Sequence, residues 1–519
     1  MIAASAAPDS ATPAPFRSGR KSRIDQLQEK VDGLLAQNSL SGASSTATTS
    51  GGSGPATPGA VDLDINLERN GDCIAGGLVT IAQANTLLEK FRSLKMPQFP
   101  FVIIPGTTTA SQLQSQSPFL LLAIMAACME NDPSLQMKLD AEIKRQISVR
   151  IVMNDERSMD LLLGLLVHTG WCHYRYQTVH TQMYLCLQLA ITLVVDLGLD
   201  QISGFTMRSI VAEVKGKDGG SGDYQSGTAK RALLGVFHIS SALSLFRPQL
   251  SMKYTDWIDQ CCADLVQNPE YPTDRLLRTY LDGSAPALKR HAVFISNREI
   301  DWDAVQNWRG EPDKSYTVPH DMMLIDNWAY YFEVKAKPVL LLGQILHHQN
   351  TTFTLDQMQK IDSLLHSTHA FIASFPQIPT DRVVHLPLPF QTYTWYALLV
   401  LSKALLLSNK ESPKTYELEA SVYASTVAIL NRMEALSTGG DLWANSRKNV
   451  GSMLSWLKDH MAQQDMGDLS PACGNGIGEF QLDDIPEDAY WNADWWQQIV
   501  EGPFFSALNT ASWPPPAVF

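Results

Sequence analysis

Between residues 61 and 460, apolar side chains recur at three- and four-residue spacing, while alternating strand patterns and Asn-Gly hairpin signals are nearly absent. That spacing lines one face of a helix with apolar groups and leaves a sheet no face to bury, so it predicts an all-α fold. In "SPFLLLAIMAACME", Ser117 stands as an expected N-cap and Pro118 takes the first helical position. In "TQMYLCLQLAITLVVDLG", Tyr184, Leu187, Ile191 and Val195 make the expected buried stripe, and Gly198 is the expected stop. Similar patterns recur at 321–349, 355–374, 391–408 and 414–436. A period of 30 to 45 residues is not visible, which disfavours a solenoid. The polar run "KGKDGGSGDYQSGTAK", 215–230, reads as a disordered loop between helices.

The flanks differ from this body. Residues 1–16 are mostly Ala, Ser, Thr and Pro, an expected disordered lead-in without the basic and apolar regions of a signal peptide. Residues 38–60 form an expected flexible Gly/Ser/Thr linker. Seven irregularly spaced cysteines do not read as a disulfide framework, which points to a reducing compartment. The longest apolar run, "LQLAITLVVDLGL", carries Asp196 and is shorter than the ~18 residues a membrane helix needs, so no membrane association is expected.

Charge is unevenly distributed. The chain carries −13 overall, which argues against a protein that coats nucleic acid along its whole surface. From Asp459 onward there is no Lys or Arg and there are ten acids, so the remainder holds 43 acids against 40 bases. Within 461–519, Asp483, Asp484, Glu487 and Asp488 accompany Trp491, Trp495, Trp496, Ile499, Phe504 and Phe505. Carboxylates keep such bulky groups in water while leaving them free to enter a partner's groove, the logic of an acidic activation segment. A terminal helix folding back through Trp495, Trp496 and Val500 accounts for the same composition, and both readings stay open.

At the other end, residues 17–37 place Arg17, Arg20, Lys21 and Arg23 before Ile24, Leu27, Val31 and Leu34. The apolar spacing of 3, 4 and 3 is a two-heptad coiled-coil seam, short enough to need a partner surface. Positive charge at a helix start opposes the helix dipole, so the basic group reads as a contact for phosphate or an import receptor.

Chemistry-bearing motifs are sparse. His168 and Cys172 share a helical face near His173 and His180, but the surroundings are apolar and core packing is the expected role. Cys261-Cys262 and His347-His348 suggest neither a chelate nor a dyad, and "GNGIG" at 474–478 lacks the strand and helix of a dinucleotide loop. No catalytic, cofactor or metal residues are assigned.

The order of parts resembles the fungal binuclear zinc-cluster (six-cysteine) transcription factors. "SRIDQLQEKVDGLL" is similar to that family's linker and dimerisation segment. "CIAGGLVTIAQANTLLEKFRSLKMPQFPFVIIP", "SMDLLLGLLVHTGWCHYRY" and "KRALLGVFHISSALSLFRP" resemble its middle homology region. The resemblance implies a helical regulatory body over 61–460, a dimer seam at Ile24–Leu34, phosphate or import contacts at Arg17–Arg23 and activation through the tail. It also implies zinc, yet residues 1–16 contain no cysteine and no C-x2-C-x6-C spacing occurs later, so the zinc ligands and base-reading residues have no counterpart here. Either a natural regulator without that module or a gene model lacking an upstream exon fits.

The expected protein is a nuclear, pathway-specific fungal transcriptional regulator, such as one serving a secondary-metabolite gene cluster. Its expected partners are itself or a related zinc-cluster regulator, coactivators, and DNA indirectly. A helical ligand-binding or enzymatic protein and a cytoplasmic scaffold are the rival readings.

Overall fold

The computed structural model describes residues 73–172, 181–201, 225–246, 250–281, 327–343, 355–407, 413–437 and most of 443–455. The chain divides into two units, Met1–Ile65 and Asn66–Phe519, and every described residue belongs to the second. The lead-in, basic stub, seam, linker and acidic tail lie outside the described residues, as do 215–224 of the expected loop.

Among the described residues the fold is all-α, with no strand. In chain order the helices are α1 Ile81–Lys90, α2 Ala110–Gln116, α3 Pro118–Cys128, α4 Pro133–Gln146, α5 Met159–Trp171, α6 Thr181–Asp196 and α7 Gly227–Leu243. They continue as α8 Asp256–Gln267, α9 Trp328–Leu342, α10 Leu355–Ile372, α11 Thr380–Val383, α12 Leu388–Leu407 and α13 Pro413–Leu436. Two of them run on into π-turns: α1 into Phe91–Lys95 and α4 into Ile147–Met153. None of the described helices is long and apolar enough to cross a membrane.

Local chemistry sets most helix starts. Thr80 and Gln83 form a reciprocal capping box on α1, and Thr109 and Gln112 form another on α2. Ser158, Thr255 and Asn327 each accept a backbone N–H at the starts of α5, α8 and α9. At the end of α6, Gly198 turns the chain at φ 70°, where the sequence places its stop.

Three local expectations need correction. Ser117 occupies the N-cap position of α3 but its side chain makes no capping bond. Asp160, from α5, accepts the N–H groups of Phe119 and Leu120 at 3.3 and 2.8 Å, so the cap comes from the neighbouring helix. On α6 the buried face is Met183, Cys186, Leu187, Ala190, Leu193 and Val194, while Val195 is 50% exposed. That helix packs against both α5 and α7, which widens its buried face and turns it away from the expected stripe. Finally, α7 starts at Gly227 with Ser226 accepting from the Ala229 N–H, so the last four residues of the expected 215–230 loop are helical.

Two hydrophobic cores result. The first surrounds α3, whose residues Phe119 to Cys128 are all buried, and draws on α1, α2 and α4 through α8. The second is built from α9, α10, α12, α13 and the helical residues near 443–455. Each core borrows from the other's helices: Ala242 of α7 lies in the second, Leu388 of α12 in the first.

Candidate functional site

The π-turn after α1 sets up the main polar feature of the junction between the cores. A π-turn adds a residue to the helical circuit and shifts the following side chains around the axis. Phe91 and Lys95 both lie within that turn, and Lys95 is fully buried. Its ammonium donates to the Val384 carbonyl at 3.1 Å and faces a Glu130 carboxylate oxygen at 3.1 Å. Lys90 donates to the other Glu130 oxygen at 2.6 Å and to the Cys128 carbonyl at 3.0 Å. His385 brings Nδ1 to 3.5 Å from Glu130, while Trp171 donates its indole N–H to the His385 carbonyl at 3.0 Å. The Lys95 ammonium also sits 5.2 Å from the Trp171 ring centre.

Burial shapes the protonation of this cluster. It lowers the Lys95 pKa, with Glu130 opposing the shift. For Glu130, burial acts upward, but Lys95, His385 and Lys90 outweigh it and hold the carboxyl well below its usual range. Burial lowers His385, and burial raises Cys128 to about 12, leaving an inert thiol.

A second buried polar group crosses the junction nearby. His238 of α7 lies 3.9 Å from Glu333 of α9, and Tyr393 of α12 donates its hydroxyl to Glu333 at 3.3 Å. His238 is enclosed by Phe101 and Tyr280, with ring centres 5.3 and 5.2 Å away. Burial drives His238 down to about 3 and Glu333 up to about 8, Lys337 opposing the latter, so burial disfavours the charged form of both. Within the first core, Arg231 makes a bidentate pair with buried Asp274 and reaches Glu270 at 2.8 Å.

In the first cluster the charges of Lys90, Lys95 and Glu130 are matched to one another and Lys95 reaches on to the Val384 carbonyl, which suits holding the two cores in register. The Glu434, Arg447 and Lys448 side chains, with Leu430 and Gly451, line an open groove beside α13, and there too Arg447 is paired with Glu434.

The sequence-assigned contact residues are not among the described residues. Arg17, Arg20, Lys21 and Arg23, the seam Ile24, Leu27, Val31 and Leu34, and the tail from Asp483 to Phe505 all lie outside the described residues, with His173, His180, His347, His348 and 474–478. His168 and Cys172 are buried in the first core, His168 lying 4.0 Å from Asp140. Cys73, Cys128, Cys172, Cys186, Cys261 and Cys262 are all buried and outside any disulfide, and among the described residues no three His, Cys, Asp or Glu groups converge as a metal site requires. The described residues do not fit the zinc that the family resemblance implies.

Residues 63–279 match the family model of the WAR1 C-terminal domain, a span close to that of the first core. Transcription factor himD of Aspergillus japonicus is 32% identical over 256 residues, covering 49% of this chain and 41% of that protein. Transcription factor opdL of Penicillium oxalicum is 28% identical over 273 residues, covering 49% of this chain and 45% of its own. Transcriptional regulator WAR1 of Candida albicans is 19% identical over 355 residues, 65% of this chain and 37% of that protein. The matches thus span less than half the length of these relatives. No solved structure matches the chain. The sequence of the first core is thus similar to the WAR1 C-terminal domain model, and parts of the chain are similar to fungal transcription factors.

Proposed function

We propose that this chain, built around a region of WAR1 C-terminal domain type, is a fungal transcriptional regulator and not an enzyme. The observation that carries the reading is that the span matched to the family model runs through nearly all of the first hydrophobic core, so the similarity covers a packed region rather than scattered motifs. The fold supplies a buried, ion-paired body, and the segments suited to touching other macromolecules lie at the two ends of the sequence.

In this reading the regulator works in the nucleus on a dedicated pathway, such as a secondary-metabolite gene cluster. Arg17, Arg20, Lys21 and Arg23 meet phosphate or an import receptor; Ile24, Leu27, Val31 and Leu34 pair with a second copy or a related zinc-cluster regulator. The acidic aromatic stretch from Asp483 to Phe505 engages coactivators, and DNA is reached through the paired regulator. No step is assigned to zinc.

The test tethers the full chain to a foreign DNA-binding domain above a reporter. Deleting 479–505 is expected to bring output to background while protein level holds. Undiminished output overturns the assignment of activation to the tail.

A further inference from the structure

Helix α4 and its π-turn present a face that the described fold leaves uncovered. Three of the large apolar side chains exposed on the described surface lie on this one element: Met137 at 62%, Val152 at 69% and Met153 at 76%. The element's two acids, Asp140 and Glu142, are buried. Its outward charges are therefore basic: Lys138 is exposed, and Lys144 and Arg145, though anchored to Asp140 and Glu142, keep about two-fifths of their side chains in solvent (42% and 40%). At 3.6 residues per turn Met137, Lys138, Lys144 and Arg145 fall within a sector of about 120°, and Val152 and Met153 follow in the π-turn that continues the same element. Exposed acids, Asp132 and Asp155, appear only at the two ends.

The sequence contains a segment of the opposite composition. Residues 479–505 hold seven acids and no Lys or Arg, together with Trp491, Trp495, Trp496, Phe504 and Phe505. Between Ser455, the last described residue, and Glu479 there are 23 residues, enough to extend up to ~80 Å. Length does not forbid a return to the body.

We propose that 479–505 of the same chain docks on this face of α4. Its carboxylates lie against Lys138, Lys144 and Arg145, and its indole and phenyl rings cover Met137, Val152 and Met153, where thioethers meet aromatic edges favourably. Docking withdraws the tryptophans from other partners, so the body controls when the tail is offered. The contact stands whether or not the tail activates transcription, and its test reads contact alone.

Carbodiimide treatment of the dilute, purified full chain joins a lysine amine to a carboxylate that touches it. Peptide mapping of the monomer band is expected to find Lys138 or Lys144 joined to acids between Asp483 and Glu501. Val152→Asp and Met153→Asp leave both amines in place at exposed positions that the fold does not need, and each is expected to cut these products at least fivefold. Trp495→Ala with Trp496→Ala, and ~0.5 M salt, act in the same direction. Absence of the products from the wild-type monomer overturns the proposal. So does their confinement to a dimer band, which assigns the face to a second copy, or their insensitivity to all of these changes.

Discussion

Lys95 is enclosed by protein on every side, and its charge is answered by one carboxylate, one carbonyl and one indole face. Removing one partner of a buried pair strands the other, at a cost of about 3–5 kcal/mol, whereas removing both with apolar or neutral replacements of similar volume costs far less. Glu130→Gln leaves the fully buried Lys95 without its carboxylate and is therefore expected to lower the unfolding free energy by that amount, read as a lower urea midpoint at an unchanged slope, and Glu130→Gln with Lys95→Met to recover at least ~1 kcal/mol of it. Simple additivity of the two single changes is the result that removes the coupling. This cluster was not legible beforehand. In "EKFRSLKMPQF" Lys95 is one of three bases and looks solvated; only the π-turn carries it inward, and its partners Glu130 and Val384 stand 35 and 289 residues further on. His238 and Glu333 were hidden for the same reason, because pairing across helices leaves no local spacing to read.

The tightest contact between elements is the crossing of α3 and α5, and Gly164 makes it possible. A Cβ at Gly164 would overlap the Phe119 ring and approach the Phe119 backbone at 3.2 Å, so neither helix can move aside cheaply. On the same helix Gly170 has no atom within 4 Å of such a Cβ. Gly164→Ala is expected to cost about 1–3 kcal/mol through overpacking, and Gly170→Ala to leave stability unchanged or raise it by up to ~1 kcal/mol. Thermal melts of the two variants check this; equal shifts would mean that helix propensity, not the crossing, decides both. The apolar repeat of "MDLLLGLLVHTGW" is enough to place α5, since burial on one side needs only the 3.6 period. It treats its two glycines alike because the partner that distinguishes them, Phe119, belongs to another helix. The cap of α3 follows the same rule: Ser117 reads as the N-cap, but the acceptor that satisfies the N–H groups of Phe119 and Leu120 is Asp160, 41 and 40 residues further on.

At the scale of the whole body, two cores are tied by bonds that each begin in one and end in the other. Trp171 and Lys95 hold the carbonyls of His385 and Val384; Asn327 donates to the Pro97 carbonyl at 2.8 Å, and Gln98 accepts from the Ala329 N–H at 2.9 Å. Helices α7 and α12 pack together and contribute side chains to both cores. The span matched to the family model ends at residue 279, and apart from Ala242 the second core lies beyond it, so the described fold packs sequence outside that model against the matched region. A chain of this size would ordinarily melt in stages. Here neither core can lose its shared helices and keep its own apolar packing, so the body is expected to melt in one transition, with calorimetric and van't Hoff enthalpies agreeing. Two resolved transitions would show that the junction does not couple the cores. Because the bonds at Val384 and His385 use backbone carbonyls, no side-chain change at those two positions can delete the acceptors. Weakening the junction requires changes on the donor side, at Lys95 or Trp171, and these are the positions at which the single transition should first broaden or split.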